Sequence, residues 1–203
     1  MAIEIPFVAS AFFILGIERI LYGFWSIYPE TFKAEVRKGT FGQSIKKEPL
    51  YWKSAMTLGK YVKVFQFSAV LYDIFVRCDL VNTIQVDVPH LVLGLGLIAA
   101  GQALNIAVFK ALGCIGVYYG NEFGYPVKMV SCFPYNVSWI SDPQYWGVVM
   151  TVWGIYIALG VTSYVIPVYE TIWYVASMKF LEHERGRILV RGILGADIKY
   201  AKK

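Results

Sequence analysis

Between residues 113 and 147 the chain gathers Gly113, Gly116, Gly120 and Gly124 with Tyr118, Tyr119, Phe123, Phe133, Tyr135, Tyr145 and Trp146, punctuated by Pro134 and Pro143. Glycine lets a backbone approach a ligand closely, and aromatic rings offer flat faces for stacking and for a cation. Further on stands Glu182-His183-Glu184. These side chains accept hydrogen bonds, and an imidazole exchanges a proton near neutral pH. The set suits a flat, charged small molecule held at a lipid surface; a simple membrane anchor needs no such loop. Cys78, Cys114 and Cys132 have neither metal nor redox spacing and read as unpaired apolar fillers. No His/Cys/Asp grouping has metal-ligand spacing, so no metal is expected.

The elements that must position these groups are apolar. The 203 residues are 57% hydrophobic and 16% charged, below the roughly 25% charge of a soluble domain. The expected fold is an all-α integral membrane bundle forming one domain over 1–203. Five segments carry helical, apolar patterning: 5–28, 58–77, 88–111, 145–159 and 162–181. The last two form one stretch of 37 residues, with Gly160 and Pro167 as break points. Four crossings result if that stretch is one kinked helix, five if it turns back. The first segment holds Glu18 and Arg19, unlike the short uncharged core of a cleavable signal, and is read as a span.

Charge separates the two counts. Eight basic residues lie between Pro29 and Lys63 and seven from Lys179 onward, whereas Cys78–Asp87 has none. Basic flanks belong on the cytoplasmic side, which favours five crossings and excludes a nucleic-acid reading of the +5 net charge. Loop 112–144 and the Glu182 cluster then share the cytoplasmic face. Residues 29–57 either lie along the membrane surface or form a solvated basic loop. Within the spans, Glu18 and Arg19 either pair or line a headgroup path. Asp73 is expected at the interface and His90 as an anchor, and Asn105 faces either a ligand cleft or a neighbouring helix.

The run Leu93-Gly94-Leu95, Ala99-Ala100-Gly101-Gln102-Ala103-Leu104-Asn105, Gly116-Val117-Tyr118-Tyr119-Gly120, Phe133-Pro134-Tyr135-Asn136 and Asp142-Pro143-Gln144-Tyr145-Trp146-Gly147 resembles the phospholipid N-methyltransferase family. The resemblance covers about 93–184. It implies an endoplasmic-reticulum membrane enzyme that transfers methyl groups from S-adenosylmethionine to the amine of phosphatidylethanolamine or its mono- and dimethyl derivatives, toward phosphatidylcholine. It also implies two cofactor motifs. The Gly-x-Gly of the third span stands here as Ala99-Ala100-Gly101, and the Glu-Glu pair as Glu182-His183. Tyr118, Gly120, Phe133, Pro143, Tyr145 and Gly147 are the further cofactor candidates.

Methyl transfer to nitrogen needs a neutral amine in line with the sulfonium at about 3–3.5 Å, in a site closed to water. His183 and Glu184 are the candidate proton acceptors, with Glu122 as an alternative. The expected partners are a bilayer phospholipid, with no nucleic acid and no metal. A prenylcysteine carboxyl methyltransferase is the nearest rival, and Asp142 ahead of Pro143, where that family has His, argues against it. A nicotinamide-dependent membrane reductase would need more basic residues than Lys110 and Lys128 near the loop. A non-enzymatic scaffold would leave the clustering of the loop motifs without a purpose.

Overall fold

The computed structural model describes residues 4–40, 50–79, 87–127, 130–138, 140–161, 163–182 and 184–194. These residues form helices and connecting turns, with no strand among them. The helices are α1 (Glu4–Ile27), α2 (Pro29–Arg37), α3 (Tyr51–Tyr72), α4 (Val88–Val117), α5 (Pro143–Ala158), α6 (Val165–Ser177) and α7 (Glu184–Ile193). Helices α3 and α6 each end in a π turn, Asp73–Arg77 and Met178–Glu182. By length and composition, two helices can cross a membrane: Ala9–Ile27 and Val88–Val117.

Helices α4 and α5 pack backbone to backbone. Gly94 and Gly101 lie seven residues apart, two turns on one face; so do Gly147 and Gly154. A Cβ on Gly101 would stand 2.4 Å from the Gly147 carbonyl oxygen, and one on Gly94 2.5 Å from that of Gly154. The pairings 94 with 154 and 101 with 147 make the two helices antiparallel. Small residues are what such an interface needs, because lipid supplies no hydrophobic drive between helices and close van der Waals packing must do the work.

Residues 145–181 do not form one continuous helix. Helix α5 ends at Ala158, Gly160 adopts φ +63°, and α6 starts at Val165. Side-chain contacts show that α6 runs back along α5. Trp153 stacks on Tyr164 with ring centroids 5.6 Å apart, and its indole N–H donates to Thr171 Oγ1 at 2.9 Å. Tyr145, at the start of α5, meets Tyr174, near the end of α6, at 5.3 Å. Helix α1 crosses this hairpin. Gly16 lets it lie against the Trp173 ring, whose Nε1 donates to the Phe12 carbonyl at 2.8 Å.

Two boundaries differ from the sequence expectation. Helix α3 starts at Tyr51 rather than near residue 58, because Tyr51, Ser54 and Ala55 are buried against the rest of the bundle. Helix α4 runs to Val117 instead of ending at 111, bent at Gly113, where φ is +65°. The segment after α1 also has a clearer role. Phe32 and Val36 of α2 are buried with Tyr22, Trp25, Tyr51 and Phe123. Phe32 and Phe123 stack at 5.1 Å, so α2 pins the turn that follows α4. Residues 41–49, part of the segment expected at the surface, lie outside the described residues.

At the far end of the bundle Asp73, expected at the membrane interface, is fully buried within the protein. Tyr156 donates its hydroxyl to Asp73 Oδ2 at 2.6 Å, and Arg77 joins Asp73 to Ser163. His90 pairs with Asp87 at the exposed start of α4, with 2.9 Å between Nδ1 and Oδ2. None of the three cysteines forms a disulfide among the described residues.

Candidate active site at the mouth of the bundle

The end of α4, the start of α5 and the end of α6 lie at one end of the bundle. There a cleft of about 200 Å³ is lined by Leu112, Gly116, Val117, Tyr119, Asn121, Glu122, Tyr135, Asp142, Pro143, Gln144, Tyr145 and, from α1, Tyr22. The local chain is shaped for this. Tyr119 and Asp142 take left-handed backbone (φ +58° and +51°), which turns the chain out of α4 and into α5, where Pro143 fills the first helical position. Gly120 is buried, and a Cβ there would strike Ile115 at 2.3 Å. Tyr119 and Tyr145 bring their hydroxyl oxygens to 3.2 Å, and Tyr22 and Tyr119 rings lie 5.3 Å apart. Tyr118, at the end of α4 beside this cleft, has its phenol pushed above its ordinary value by burial, and Glu18 adds to the shift.

Beneath the cleft lies a buried charged cluster. The Arg19 guanidinium sits within 4.6 Å of the ring centroids of Tyr22 and Tyr145 and 4.3 Å from that of Tyr174. Glu18 Oε2 forms ion pairs with Arg19 Nη2 at 2.9 Å and Lys63 Nζ at 2.5 Å. Lys63 also donates to the Tyr174 hydroxyl at 3.0 Å. Glu170 is buried close by. Tyr145 therefore lines the cleft while its ring covers the cluster. Lys63, one of the basic residues flanking a span, has a side chain 44% exposed but brings its ammonium to the buried Glu18, which would otherwise be a buried charge with one partner fewer.

The sequence candidates divide. Pro143 and Tyr145 line the cleft, with Tyr118 and Gly120 in the turn that walls it. Gly101 lies eleven residues from Leu112, about 16 Å along the helix. It and Gly147 are filled by each other's helix rather than facing the cleft. Ala99 and Ala100 are exposed on α4. Phe133 is 53% exposed and borders a separate crevice with Lys110 and Cys132. Glu182 ends the π turn after α6, at the same end of the bundle as Tyr145, and Glu184 opens α7. The side chains of Glu182 and Glu184 and the whole of His183 lie outside the described residues. Sequence reasoning passed over Tyr22, Tyr174 and Glu170. The available signal was the charge of Glu170 inside an apolar run, the same signal that marked Glu18 and Arg19.

Residues 89–185 match the model of the family described as phospholipid methyltransferase. Over this region, close to half its length, the chain is similar to the phospholipid methyltransferase family. A stretch of 55 residues is 47% identical to a protein of Arabidopsis thaliana named phosphatidyl-N-methylethanolamine N-methyltransferase. That match covers 27% of this chain and 32% of the plant protein, about a third of the curated relative's length. No solved structure gives a significant match.

Proposed function

We propose that this chain is a membrane enzyme that transfers a methyl group from S-adenosylmethionine to the amine nitrogen of phosphatidylethanolamine or its mono- or dimethyl derivatives. The observation that carries the reading is the cleft at the α4–α5 mouth, where tyrosines and acids converge inside the region matched to the family. Its donor set fits the cofactor. Tyr22, Tyr119, Tyr135 and Tyr145 present ring faces to a sulfonium and an adenine, while Glu122 and Asp142 supply negative charge toward cationic groups.

When bound, the cofactor supplies an electrophilic methyl carbon. The chain's part is positioning. Tyr145, fixed from below by Arg19 and from the side by Tyr119, presents a ring that cannot swing away. Gly101 and Gly147 serve the same end by locking α4 against α5. Glu182 and His183, which follow α6 in the sequence, are assigned to the cofactor, Glu182 as the acceptor for the ribose hydroxyls or the methionine ammonium. His183 or Glu184 takes the proton that the lipid ammonium must lose before attack. A phospholipid reaches the mouth sideways from the bilayer if the chain crosses five times and the mouth is cytoplasmic. The α5–α6 reversal and the two long apolar helices support that arrangement, and the endoplasmic reticulum is its proposed membrane.

The test uses the full chain in nanodiscs with methyl-labelled S-adenosylmethionine and each of the three lipid amines in turn. Label in methylated lipid is the expected result. Cofactor binding without lipid product would assign a different acceptor, and no cofactor binding would end the reading. His183→Gln and Glu184→Gln, measured across a pH series, identify the proton acceptor: its loss abolishes the acidic limb of the rate profile.

A further inference from the structure

The bundle holds a second cleft, away from the mouth, with a mostly apolar surface bordered by six polar residues. It measures about 200 Å³ and lies among α3, α4, α5 and α6. Polar side chains enter it from all four helices: Lys63 and Gln66, Gln102 and Asn105, Thr151, and Glu170. Its rim is apolar and open to the outside of the bundle, since Phe67 is 57% exposed and Gln102 is exposed.

Glu170 is the telling member. It is 3% exposed, and its Oε2 has no hydrogen-bond partner. A carboxyl oxygen buried without a donor is destabilising, so the arrival of a donor there is favourable. Lys63 already gives its ammonium to Glu18 and Tyr174. The other lining groups, Gln66, Gln102 and Asn105, can donate or accept.

The charge balance defines the ligand further. Glu18 and Glu170 face Arg19 and Lys63, two acids against two bases. A zwitterion leaves the balance unchanged.

We propose that this cleft binds the zwitterionic headgroup of a phospholipid amine, with the ammonium donating to Glu170 and the phosphate on the Lys63 side, among the amides of Gln102 and Asn105. The site rests on the methyl-transfer reading for its purpose: it loads the lipid on the bilayer side of the wall formed by Tyr145, Tyr174 and Arg19. Glu170 is here a binding residue, and no proton transfer is assigned to it.

The test combines turnover with binding on the full chain in nanodiscs. Glu170→Gln is expected to raise KM for phosphatidylethanolamine about tenfold, with kcat and cofactor affinity within about twofold of the parent. Glu170→Asp should recover part of the loss. Gln102→Phe, on the exposed side of α4, fills the cleft without touching the buried cluster and should give the same rise in KM. A thermal shift by dihexanoyl phosphatidylethanolamine, absent with dihexanoyl phosphatidylglycerol and lost in both variants, reads binding without chemistry. Unchanged KM in both variants overturns the proposal and leaves the methyl-transfer reading intact. A selective thermal shift lost in both variants upholds the site even if the parent methylates no lipid, in which case the methyl-transfer reading fails alone. Equal shifts from the two lipids also overturn it.

Discussion

The mouth and the buried cluster beneath it are built in opposite ways. The mouth comes chiefly from one stretch, residues 112 to 145, with Tyr22 of α1 added. Its shape is set by local turns and two left-handed residues. The cluster comes from α1, α3 and α6, with Lys63 and Glu170 more than a hundred residues apart. Its members are polar side chains that a membrane bundle tolerates only when they pair. Tyr145 belongs to both regions, so the conformation of the mouth depends on charge pairing below it. The buried Arg19 guanidinium thus supports one ring of the mouth from below.

Four substitutions probe this division, beginning with the largest effect. Arg19→Ala leaves Glu18 and three tyrosine rings without their guanidinium. Breaking one side of a buried pair should destabilise the protein by about 3–5 kcal/mol, read as a fall in thermal midpoint in nanodiscs. A shift no larger than that of an exposed substitution would show that the cluster does not hold the fold. Gly101→Ala forces a Cβ onto the Gly147 carbonyl and should cost about 1–3 kcal/mol. Weakened cofactor binding at an unchanged midpoint would instead return Gly101 to the cofactor.

Asp73→Asn, at the far end, loses the ionic partner of Arg77 while keeping a hydrogen-bond acceptor for Tyr156. It should lower stability by about 1–3 kcal/mol and leave cofactor affinity as it was. An affinity change would mean the two ends are coupled through α3. Tyr145→Phe is the mildest. It removes the hydroxyl contact with Tyr119 and keeps the ring on Arg19, so stability should drop by about 1 kcal/mol or less. Cofactor dissociation, measured by isothermal titration, should strengthen or weaken by no more than about tenfold. A complete loss of binding would make the hydroxyl, rather than the ring, the ligand contact.

The helices were legible because apolar runs and their glycine and proline boundaries are local features. The reversal after α5 was visible as two alternatives, and Gly160 turned out to be where the chain turns. Gly101 and Gly147 read as places for a ligand, yet each makes room for the other's backbone, and spacing within one helix does not reveal what lies across from it. Lys63 looked like a flank charge for the same reason. The burial of Asp73 was not legible because Tyr156, which bonds it, and Ser163, which bonds its neighbour Arg77, are more than eighty residues away.

From the sequence alone came an apolar helical chain, the aromatic-glycine turn as the chemically equipped segment, and a likeness to phospholipid methyltransferases. Each depends on residue type and near neighbours, which the order of residues specifies. The tertiary structure alone decided that Arg19 stands among Tyr22, Tyr145 and Tyr174, that Glu18 binds two cations, and that Glu170 faces a cleft without a donor. Pairing of buried charges is a property of distance in space, and helices brought together from distant parts of the chain set those distances.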